Sequence, residues 1–380
     1  TEHLAAGASA EVAGKSCVLP CSVVGSRSGC SKAIIKMNGE PGERKKPLDL
    51  LNGADMVKIC APMVRYSKQA FRHLVRKYGV DIAYTPMIVS DSFVKSQKAR
   101  DAEFTTAQGD RPLIVQFAAN NATDLANAAE LVYRYSDGVD LNCGCPQRWA
   151  IAEGYGVHLL NHPELVRDMV HQTKNRLCDS DFTTSVKIRV CSDLRYYQYH
   201  KCSCTLKMLI VGNRFHRSKT VDFCRKLEAA GVSFITVHGR TKDQRSEPVN
   251  LDAIRTVKDS LRIPVVANGD VTSMKKAEDI CQATGVNGVM AARGMLDNPA
   301  MFSGFKHTPA HCVEDWLLLS AELGCPLTQF HHHLMFMLDH VLSRSEKRIF
   351  NALTSYSAVV DYLHYAHSVV LHEHRGKVTL

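Results

Sequence analysis

The sequence contains no C-x-x-C pair, no apolar run of membrane-spanning length and, at 7% of 380 residues, few aromatic side chains. Fourteen cysteines without the spacing of a short secreted scaffold argue against a disulfide framework, so we expect reduced thiols that are mostly buried. A transmembrane helix needs about 20 consecutive apolar residues, and none occurs. The opening residues also lack the charged segment and apolar core of a secretory signal. These absences predict a soluble protein of the cytoplasm and leave the nucleus open as a further location.

The composition that is present is typical of a globular protein. Hydrophobic residues make up 45% and charged residues 22% of the chain, and 380 residues are enough for a full core. The 47 lysines and arginines outnumber the 38 acidic residues, which gives a net charge of +9. A surplus of this sign favours a polyanionic partner such as nucleic acid, although charge alone is weak evidence.

Four regions follow one another along the chain. Residues 1–54 are rich in Gly, Ser and Ala without a hydrophobic period, which predicts a flexible leader, and Met37 within it is a candidate start of the natural chain. Residues 55–305 alternate short apolar runs with amphipathic stretches. Residues 306–366 are helical in pattern and predict a separate subdomain, and residues 367–380 form a tail.

The alternation in residues 55–305 determines the predicted fold. Continuously apolar strands separated by amphipathic helices indicate a parallel sheet covered by helices. Eight strands favour closure into a (β/α)8 TIM barrel. A doubly wound open sheet is the alternative, but no G-x-G-x-x-G follows the first strand. The predicted strands are Val57–Ala61, Ile82–Pro86, Leu113–Ala118, Gly138–Asn142, Ser185–Val190, Phe234–His238, Pro264–Asn268 and Asn287–Ala292. The predicted barrel helices are Ser67–Tyr78, Ala122–Tyr135, Pro163–Leu177, Thr220–Ala230, Leu251–Asp259 and Ser273–Gln282, and those of the subdomain are Val313–Leu323, Gln329–Leu342 and Glu346–Tyr365.

One segment, residues 191–219, interrupts the alternation after the fifth strand. A barrel needs only a short loop there, yet about 30 residues rich in Tyr, Cys, Lys and Arg intervene. Three interpretations are open: a loop that stacks on RNA bases, a poorly packed retained or alternative coding segment, and a metal knuckle of Cys191, His200, Cys202 and Cys204. We favour the coding segment, and the knuckle spacing fits no standard zinc pattern.

Polar residues follow the carboxyl ends of the predicted strands, where a barrel builds its active site. Each has an ordinary explanation by itself, such as a turn or a satisfied buried carbonyl. Seven such segments converging on one rim favour a binding site. Gly269 and Gly294, after the last two strands, suit a bound phosphate with Arg293 as its charged partner. The segments are Ala61–Arg65, Gln116, Asn142–Pro146, Lys187 with Arg189, His238–Thr241, Asn268–Asp270 and Ala291–Gly294.

Six short motifs also lie in order between Val57 and Tyr362. They are Ala61-Pro62-Met63, then Asn142-Cys143-Gly144-Cys145-Pro146 with Gly154-Tyr155-Gly156, Lys187-Ile188-Arg189, Val237-His238-Gly239-Arg240-Thr241, Ala267-Asn268-Gly269-Asp270 and Val289-Met290-Ala291-Ala292-Arg293-Gly294. Together they resemble the tRNA-dihydrouridine synthase family. The forms of Ala61–Ser67 and Asn142–Trp149 are most similar to the eukaryotic branch that modifies D-loop positions 20a and 20b.

The resemblance implies an enzyme that uses FMN, with NADPH or NADH as reductant, to reduce the 5,6 double bond of uracil in tRNA. A lysine near the flavin, Lys187, would stabilise the negative charge of its reduced form, and Gln116 and Asn268 would hydrogen-bond ring polar atoms. His238 and Arg293 would neutralise the phosphate. By position, the implied FMN contacts are Pro62, Met63, Val64, Gln116, Lys187, His238, Asn268, Gly269, Asp270, Ala292 and Arg293.

Cys145 corresponds to the general acid of that family. Hydride addition at C6 leaves carbanion character at C5, and a thiol that keeps its proton at neutral pH can protonate C5 from the opposite face. We interpret the neighbouring Cys143 as a packing residue. A zinc site on these two cysteines lacks further ligands, and the three consecutive residues His331–His333 face different directions on a helix, so we predict no metal.

The substrate implied by the resemblance is a folded tRNA, whose target uridine must leave its stack to reach the barrel. Phosphate contacts are then expected around the barrel mouth and on the helical subdomain. For any one of the candidates, a solvated surface charge is the simpler explanation. The candidates are Arg65, Arg148, Arg240, Lys347 and Arg348, with Lys95, Lys98 and Arg100 as further ones.

Two other functions stay open on the sequence. A small-molecule flavin oxidoreductase similar to dihydroorotate dehydrogenases would share the barrel, but the helical subdomain and the basic surplus count against it. A non-catalytic RNA-binding barrel would follow if the segment 191–219 disabled the site. In each case we expect a monomer.

Overall fold

Eight parallel strands close into a barrel in the computed structural model, which describes residues 45–192 and 218–367. The sheet has nine strands, of which all but β3 form the closed ring: β1 (Val57–Cys60), β2 (Ile82–Tyr84), β3 (Ile88–Val89), β4 (Leu113–Ala118), β5 (Gly138–Cys143), β6 (Thr183–Arg189), β7 (Ile235–His238), β8 (Val265–Asn268) and β9 (Gly288–Ala291). Pairing of β1 with β9 and of β2 with β4 closes the ring. The two-residue β3 pairs with β4 and was not predicted, because it is too short to carry a hydrophobic pattern. The predicted (β/α)8 barrel is confirmed.

Large apolar side chains fill the inside of the barrel. Ile59, Ile82, Ile114 and Phe234 are fully buried there, together with Val266, Met290 and Tyr84. A second and larger apolar layer lies between the strands and the surrounding helices. Burial on both faces explains why the strands read as continuous apolar runs in the sequence.

The helices that flank the barrel begin at polar capping residues. Asn121, Asn250 and Ser273 each accept a hydrogen bond from a backbone N–H three residues further on, and such a cap contributes about 1 kcal/mol to a helix. In chain order, the α-helices from the start of the described residues to the one that follows β9 are α1 (Pro47–Asn52), α2 (Gln69–Lys77), α3 (Ser90–Lys95), α4 (Gln97–Glu103), α5 (Ala122–Val132), α6 (Arg148–Ala152), α7 (Pro163–Leu177), α8 (Lys219–Ala229), α9 (Leu251–Ser260), α10 (Met274–Thr284) and α11 (Arg293–Asp297).

Helix α1 corrects the predicted extent of the leader. It lies inside residues 1–54, which were predicted to be flexible, yet its Leu51 is fully buried against the barrel interior. The side-chain amide of Asn287 donates a 2.9 Å hydrogen bond to the Leu51 carbonyl and holds the helix in place. The sequence did not predict α1, because a helix of 6 residues is too short to show a hydrophobic period. Residues 1–44 lie outside the described residues.

The chain after the barrel is helical, as α12 (Ala310–Glu322), α13 (Leu327–Met337), α14 (Arg344–Asn351) and α15 (Tyr356–His367). The prediction of one helix over Glu346–Tyr365 was wrong, because the chain breaks between α14 and α15. The hydroxyl of Ser355 accepts a hydrogen bond from the Ala358 N–H and starts the new helix. The tail 368–380 is outside the described residues.

His333 joins these C-terminal helices to the loop after β1. Its ring is fully buried, stacks on Phe71 of α2 with centroids 4.4 Å apart, and places Nε2 3.1 Å from the Tyr66 carbonyl. A carbonyl oxygen only accepts, so Nε2 carries the proton. Burial lowers the pKa of His333 to about 3, which keeps the ring neutral. The histidine run therefore packs the subdomain against the barrel, with His332 exposed between two buried neighbours.

Three further observations concern the described residues as a group. No helix among them is both long and apolar enough to span a bilayer, and no cluster of three or more His, Cys, Asp or Glu side chains there could hold a metal ion. All nine cysteines in these ranges are free, and five are buried. Most of the unusual segment 191–219, including His200, Cys202 and Cys204, lies outside the described residues.

Candidate active site

The residues predicted to form the site lie at one end of the barrel. Gln116, Lys187, His238 and Asn268 occupy the carboxyl-terminal halves of β4, β6, β7 and β8, and the other predicted residues follow β1, β5, β8 and β9. Because the strands are parallel, these ends share one rim. The rim is the position at which barrel enzymes carry out their chemistry.

A cavity of about 260 Å³ opens between the ends of β7, β8 and β9. Six of the predicted FMN contacts line it, namely His238, Asn268, Gly269, Asp270, Ala292 and Arg293. Pro62 and Met63 are half-buried in the loop after β1, and Val64 is exposed there. Met63 and Ala292 pack against the same interior cluster, so the β1 loop reaches the inside of the barrel next to the cavity.

Two glycines allow the loops around the cavity to approach closely. Gly269 has a φ of +119°, and a Cβ there would lie 2.6 Å from a methyl carbon of Val249 and 3.1 Å from the His238 ring. A Cβ on Gly294 would lie 2.5 Å from the Val271 carbonyl oxygen. Any larger residue would push the cavity wall apart, which explains why the sequence has glycine at both positions.

Positive charge is concentrated around this cavity. Burial, and then the charges of Lys187, Arg189, Arg240 and Arg293, lower the pKa of His238 to about 2, so its ring is neutral. Burial also lowers the pKa of Lys187 to about 8, although Asp140 acts in the opposite direction. The Lys187 ammonium makes no hydrogen bond with any residue that the structure describes. An excess of buried cations over anions is the condition under which an anionic group binds well.

Arg240 belongs to the interior of the site. It is only 2% exposed, and its Nη2 lies 2.7 and 2.6 Å from the two carboxylate oxygens of Asp270, which itself has a φ of +53°. Its Nε donates to the carbonyl of Glu247. The guanidinium of Arg240 therefore holds the loop after β8, and the contact with tRNA predicted for this residue stays a prediction. The carboxylate of Asp270, which was predicted to contact FMN, also lies 3.9 Å from Arg293.

A chain of buried hydrogen bonds connects the strands to the loop of Cys145. Asp140 accepts from Ser185 Oγ at 2.7 Å and from Gln116 Nε2 at 2.8 Å. Gln116 Oε1 accepts from Asn142 Nδ2 at 2.9 Å. The Asn142 side-chain oxygen in turn accepts from the backbone N–H groups of Gly144 and Cys145 at 3.0 and 2.8 Å. Burial raises the pKa of Asp140 to about 6, so the chain starts from a carboxylate at neutral pH.

The backbone of Cys145 is fixed on its other side as well. Its carbonyl oxygen accepts a 3.1 Å hydrogen bond from the Val157 N–H. Gly156, with a φ of +64°, packs so closely that a Cβ there would lie 2.4 Å from that oxygen. Arg189 donates to the carbonyls of Gly144 and Thr241 at 3.0 and 2.9 Å and so ties the Cys145 loop to the loop after β7.

The two cysteines of this segment have different surroundings. Cys143 is fully buried in the layer between strands and helices, and burial raises the pKa of its thiol well above the ordinary value. Cys145 is partly exposed and packs against Ala118, Ala150 and Tyr155. Only Cys145 is thus placed to meet a substrate at the rim, and Cys143 packs as predicted.

The remaining basic residues predicted to contact tRNA lie on the surface. Arg65, in the loop after β1, is exposed with a φ of +74°, and Arg148 is exposed at the start of α6. On α14, Arg348 is exposed, while Lys347 forms a 2.8 Å ion pair with Asp339. All four are accessible, and their contact with RNA stays a prediction.

Sequence reasoning did not assign a role to Asp140 or Ser185. The signal for Asp140 was its position within the largely apolar strand Gly138–Cys143. A carboxyl group buried there needs hydrogen-bond partners. Its partners could not be identified, because Ser185 and Gln116 lie on neighbouring strands far away in sequence. The cross-strand register brings Gln116 opposite Asp140, and Asp140 opposite Ser185.

The fold and the rim together define a (β/α)8 barrel enzyme with a cavity for an anionic group and a fixed cysteine on the same rim. The family model described as dihydrouridine synthase matches residues 59–367. The chain therefore belongs to the dihydrouridine synthase family.

Named relatives match most of the chain. A mouse protein named tRNA-dihydrouridine(20a/20b) synthase [NAD(P)+]-like is 55% identical over 84% of this chain and 92% of its own length. The human protein of the same name is 54% identical over 84% of this chain and 94% of its own. The tRNA-dihydrouridine(20a/20b) synthase [NAD(P)+] of Schizosaccharomyces pombe is 43% identical over 84% and 90%.

Proposed function

We propose that this chain is an FMN-dependent tRNA-dihydrouridine synthase that reduces the 5,6 double bond of uridine 20a or 20b, with NADPH or NADH as reductant. The observation that carries the proposal is the fixed position of Cys145 on the same barrel rim as an electropositive cavity. Lys187 and Arg189 connect the cavity with Cys145. The charges of both residues lower the pKa of His238 in the cavity wall, and both interact electrostatically with Cys145. Relatives named for this reaction support the choice of substrate.

The residues around the cavity fit the chemistry of FMN. Arg293 and the loop at Gly269 would hold its phosphate, beside the neutral ring of His238. Lys187, a buried cation without a described partner, would stabilise the negative charge that a flavin gains on reduction. When bound, FMN would take a hydride from NADPH or NADH and supply it to C6 of the uracil.

Cys145 would supply the proton that completes the reduction. Its S–H bond breaks as a C–H bond forms at C5, and the electron pair of the S–H bond stays on sulfur as thiolate. Lys187 is close enough to interact electrostatically with that sulfur and would stabilise the thiolate until solvent returns a proton. The hydrogen bonds to the Cys145 N–H and carbonyl keep the thiol in one position during this step.

The tRNA would bind across the rim and the C-terminal helices. Arg65 and Arg148 are exposed on loops at the rim, and Arg348 is exposed on α14 of the helical subdomain 306–366. Each would contact backbone phosphates, which gives affinity without base recognition. The net charge of +9 agrees with such a surface.

The test is reduction of an unmodified tRNA transcript by the full chain with FMN and NADPH, followed by mass spectrometry of the nucleosides. We expect a gain of two hydrogens on one uridine. Cys145→Ala should lower the rate by 100-fold or more, in line with loss of a general acid at about 10²–10⁴. The matched control is Cys143→Ala, which removes a buried thiol two residues away and should retain activity.

Replacement of uridine 20a or 20b by cytidine in the transcript assigns the position. If FMN binds and tRNA binds but no uridine gains hydrogen, the chain is an RNA-binding barrel and the proposal is wrong. If dihydroorotate or another small substrate is turned over while tRNA is not, the small-molecule oxidoreductase is the correct function.

A further inference from the structure

The chain has two tryptophans, and the structure places them in opposite environments. Trp316 on α12 is fully buried, and its Nε1 donates a 3.1 Å hydrogen bond to the Phe330 carbonyl. Trp149 on α6 is 48% exposed. A single exposed apolar residue is ordinary on a protein surface and needs further evidence before a role is assigned.

That evidence begins with how rigidly the Trp149 ring is supported. Its neighbour Ala150 is fully buried in a small apolar cluster with Ala118 and Tyr155, which fixes α6 against the barrel. The Trp149 and Tyr155 rings meet edge to face, with centroids 6.4 Å apart at 64°. Tyr155 is itself buried, so one side of the indole rests on a fixed ring while about half of it stays open to solvent.

The same cluster holds the proposed general acid. Cys145 packs against Ala118, Ala150 and Tyr155, and it lies four residues before Trp149. The exposed indole therefore belongs to the same rigid loop as the thiol, on the rim where the uridine must arrive. What distinguishes Trp149 from other exposed apolar residues is this shared cluster with Cys145.

The charge next to the indole favours a nucleic acid over an apolar partner. Arg148, adjacent in the chain, is exposed and makes no ion pair with any residue that the structure describes. Gln147 and Pro146 are also exposed, so the segment between Cys145 and Trp149 is open to solvent. An aromatic face next to an arginine is the combination that binds an unstacked base together with its phosphate.

We propose that Trp149 is a stacking platform for an unpaired tRNA base next to the target uridine, with Arg148 on the adjoining phosphate. The inference rests on the proposed function and extends it to substrate positioning. Stacking on Trp149 would replace the stacking that the neighbouring base loses when the uridine is displaced. It would also hold the displaced strand at a fixed distance from Cys145.

Tryptophan fluorescence of the full chain loaded with FMN tests this directly, because the second tryptophan is buried. We expect unmodified tRNA to quench the emission, and we expect Trp149→Phe to abolish the quenching while tRNA binding stays within about threefold. Trp149→Ala should raise the KM for tRNA by about 5- to 150-fold, the equivalent of about 1–3 kcal/mol of base stacking. FMN content, read from its visible absorbance, should be unchanged in both variants.

Tyr135→Ala is the matched control. This tyrosine is 56% exposed, but it precedes β5 and lies at the opposite end of the barrel, so its loss should not alter the KM for tRNA. If Trp149→Ala reduces tRNA with an unaltered KM, the inference is wrong while the proposed function holds. If quenching persists in Trp149→Phe, the inference is wrong as well. If the wild-type chain neither binds nor reduces tRNA, both are overturned.

Discussion

Asp140 accepts a 2.8 Å hydrogen bond from Nε2 of Gln116, and this contact determines the direction of the Gln116 amide. A carboxylate only accepts, so the Gln116 NH₂ group must face it and the carbonyl oxygen must face Asn142. The Asn142 NH₂ group donates to that oxygen, so the side-chain oxygen of Asn142 accepts from the backbone N–H groups of Gly144 and Cys145. One buried charge thereby fixes the orientation of the loop that carries the thiol.

Replacement of Asp140 tests this orientation. Asp140→Leu removes the acceptor, and we expect kcat for tRNA reduction to fall by about 10- to 100-fold, because misplacement of a reacting group by about 1 Å has an effect of that size. Asp140→Asn can still present an oxygen to Gln116 and should recover most of the rate. Single-turnover kinetics with saturating tRNA measure the effect. Equal rates for the Leu and Asn variants would show that the hydrogen-bond chain does not position Cys145.

The pKa of Asp140 also predicts how stability varies with pH. Burial raises it from 3.8 to about 6, so between these values the folded protein binds a proton that the unfolded chain has lost. Stability contributed by this group is therefore lost as the pH rises from about 4 to 6, by about 2–3 kcal/mol. Urea unfolding measures this loss when the free energies of unfolding of the wild type and of Asp140→Asn are compared at pH 4.5 and at pH 7. A difference that does not change with pH would contradict the prediction.

Lys187 should lower the stability of the protein without FMN. Its pKa is lowered to about 8 by burial, so at pH 7 the folded state carries a poorly solvated charge, and stability is gained as the pH rises from about 8 towards 10.5. We expect Lys187→Met to raise the thermal midpoint of the FMN-free protein at pH 7, with the gain shrinking towards pH 10. The same variant should weaken FMN binding by tenfold or more. A lower midpoint at pH 7 would mean that Lys187 has a stabilising partner.

The fold could be predicted from the sequence because burial on both faces leaves a readable pattern. All eight barrel strands were found, since each is a continuous apolar run that ends in polar residues at a common rim. The short elements were missed, because runs of two to seven residues are too short to show a hydrophobic period; they are strand β3 and helices α1, α3, α4, α6 and α11. The break at Ser355 was missed because the apolar pattern continues across it.

The site was predictable as a set of positions and less so as a set of contacts. The cavity collects six of the predicted residues because strand ends converge in any parallel barrel. The burial of Arg240 could not be predicted, because the sequence shows its charge but not its partner, which is Asp270 on a loop thirty residues later with a left-handed backbone. The role of Asp140 depends on strand register, which no local pattern determines.

The burial of Arg240 leads to a prediction about the salt dependence of tRNA binding. Arg148 is exposed and proposed to contact phosphate, so Arg148→Ala should weaken tRNA binding and reduce the slope of log Kd against log salt by about 1. Arg240→Ala removes the nearer of the two arginines that face Asp270 and should lower stability and FMN retention, with no change in that slope. Filter binding from low to moderate salt distinguishes the two. A reduced slope for Arg240→Ala would instead show that Arg240 contacts a tRNA phosphate.

Gly156 should be more sensitive to substitution than its neighbour Gly154, although both have a positive φ, +64° and +79°. Alanine pays a similar backbone cost of about 1–2 kcal/mol at either position. At Gly154 the new methyl would meet nothing nearer than the Asn120 Cβ at 3.6 Å, whereas at Gly156 it would lie 2.4 Å from the Cys145 carbonyl oxygen. We therefore expect Gly156→Ala to displace Cys145 and to reduce kcat by tenfold or more beyond the effect of Gly154→Ala. Single-turnover rates of the two variants at equal FMN content make the comparison, and equal rates would show that the Cys145 backbone can move without loss of function.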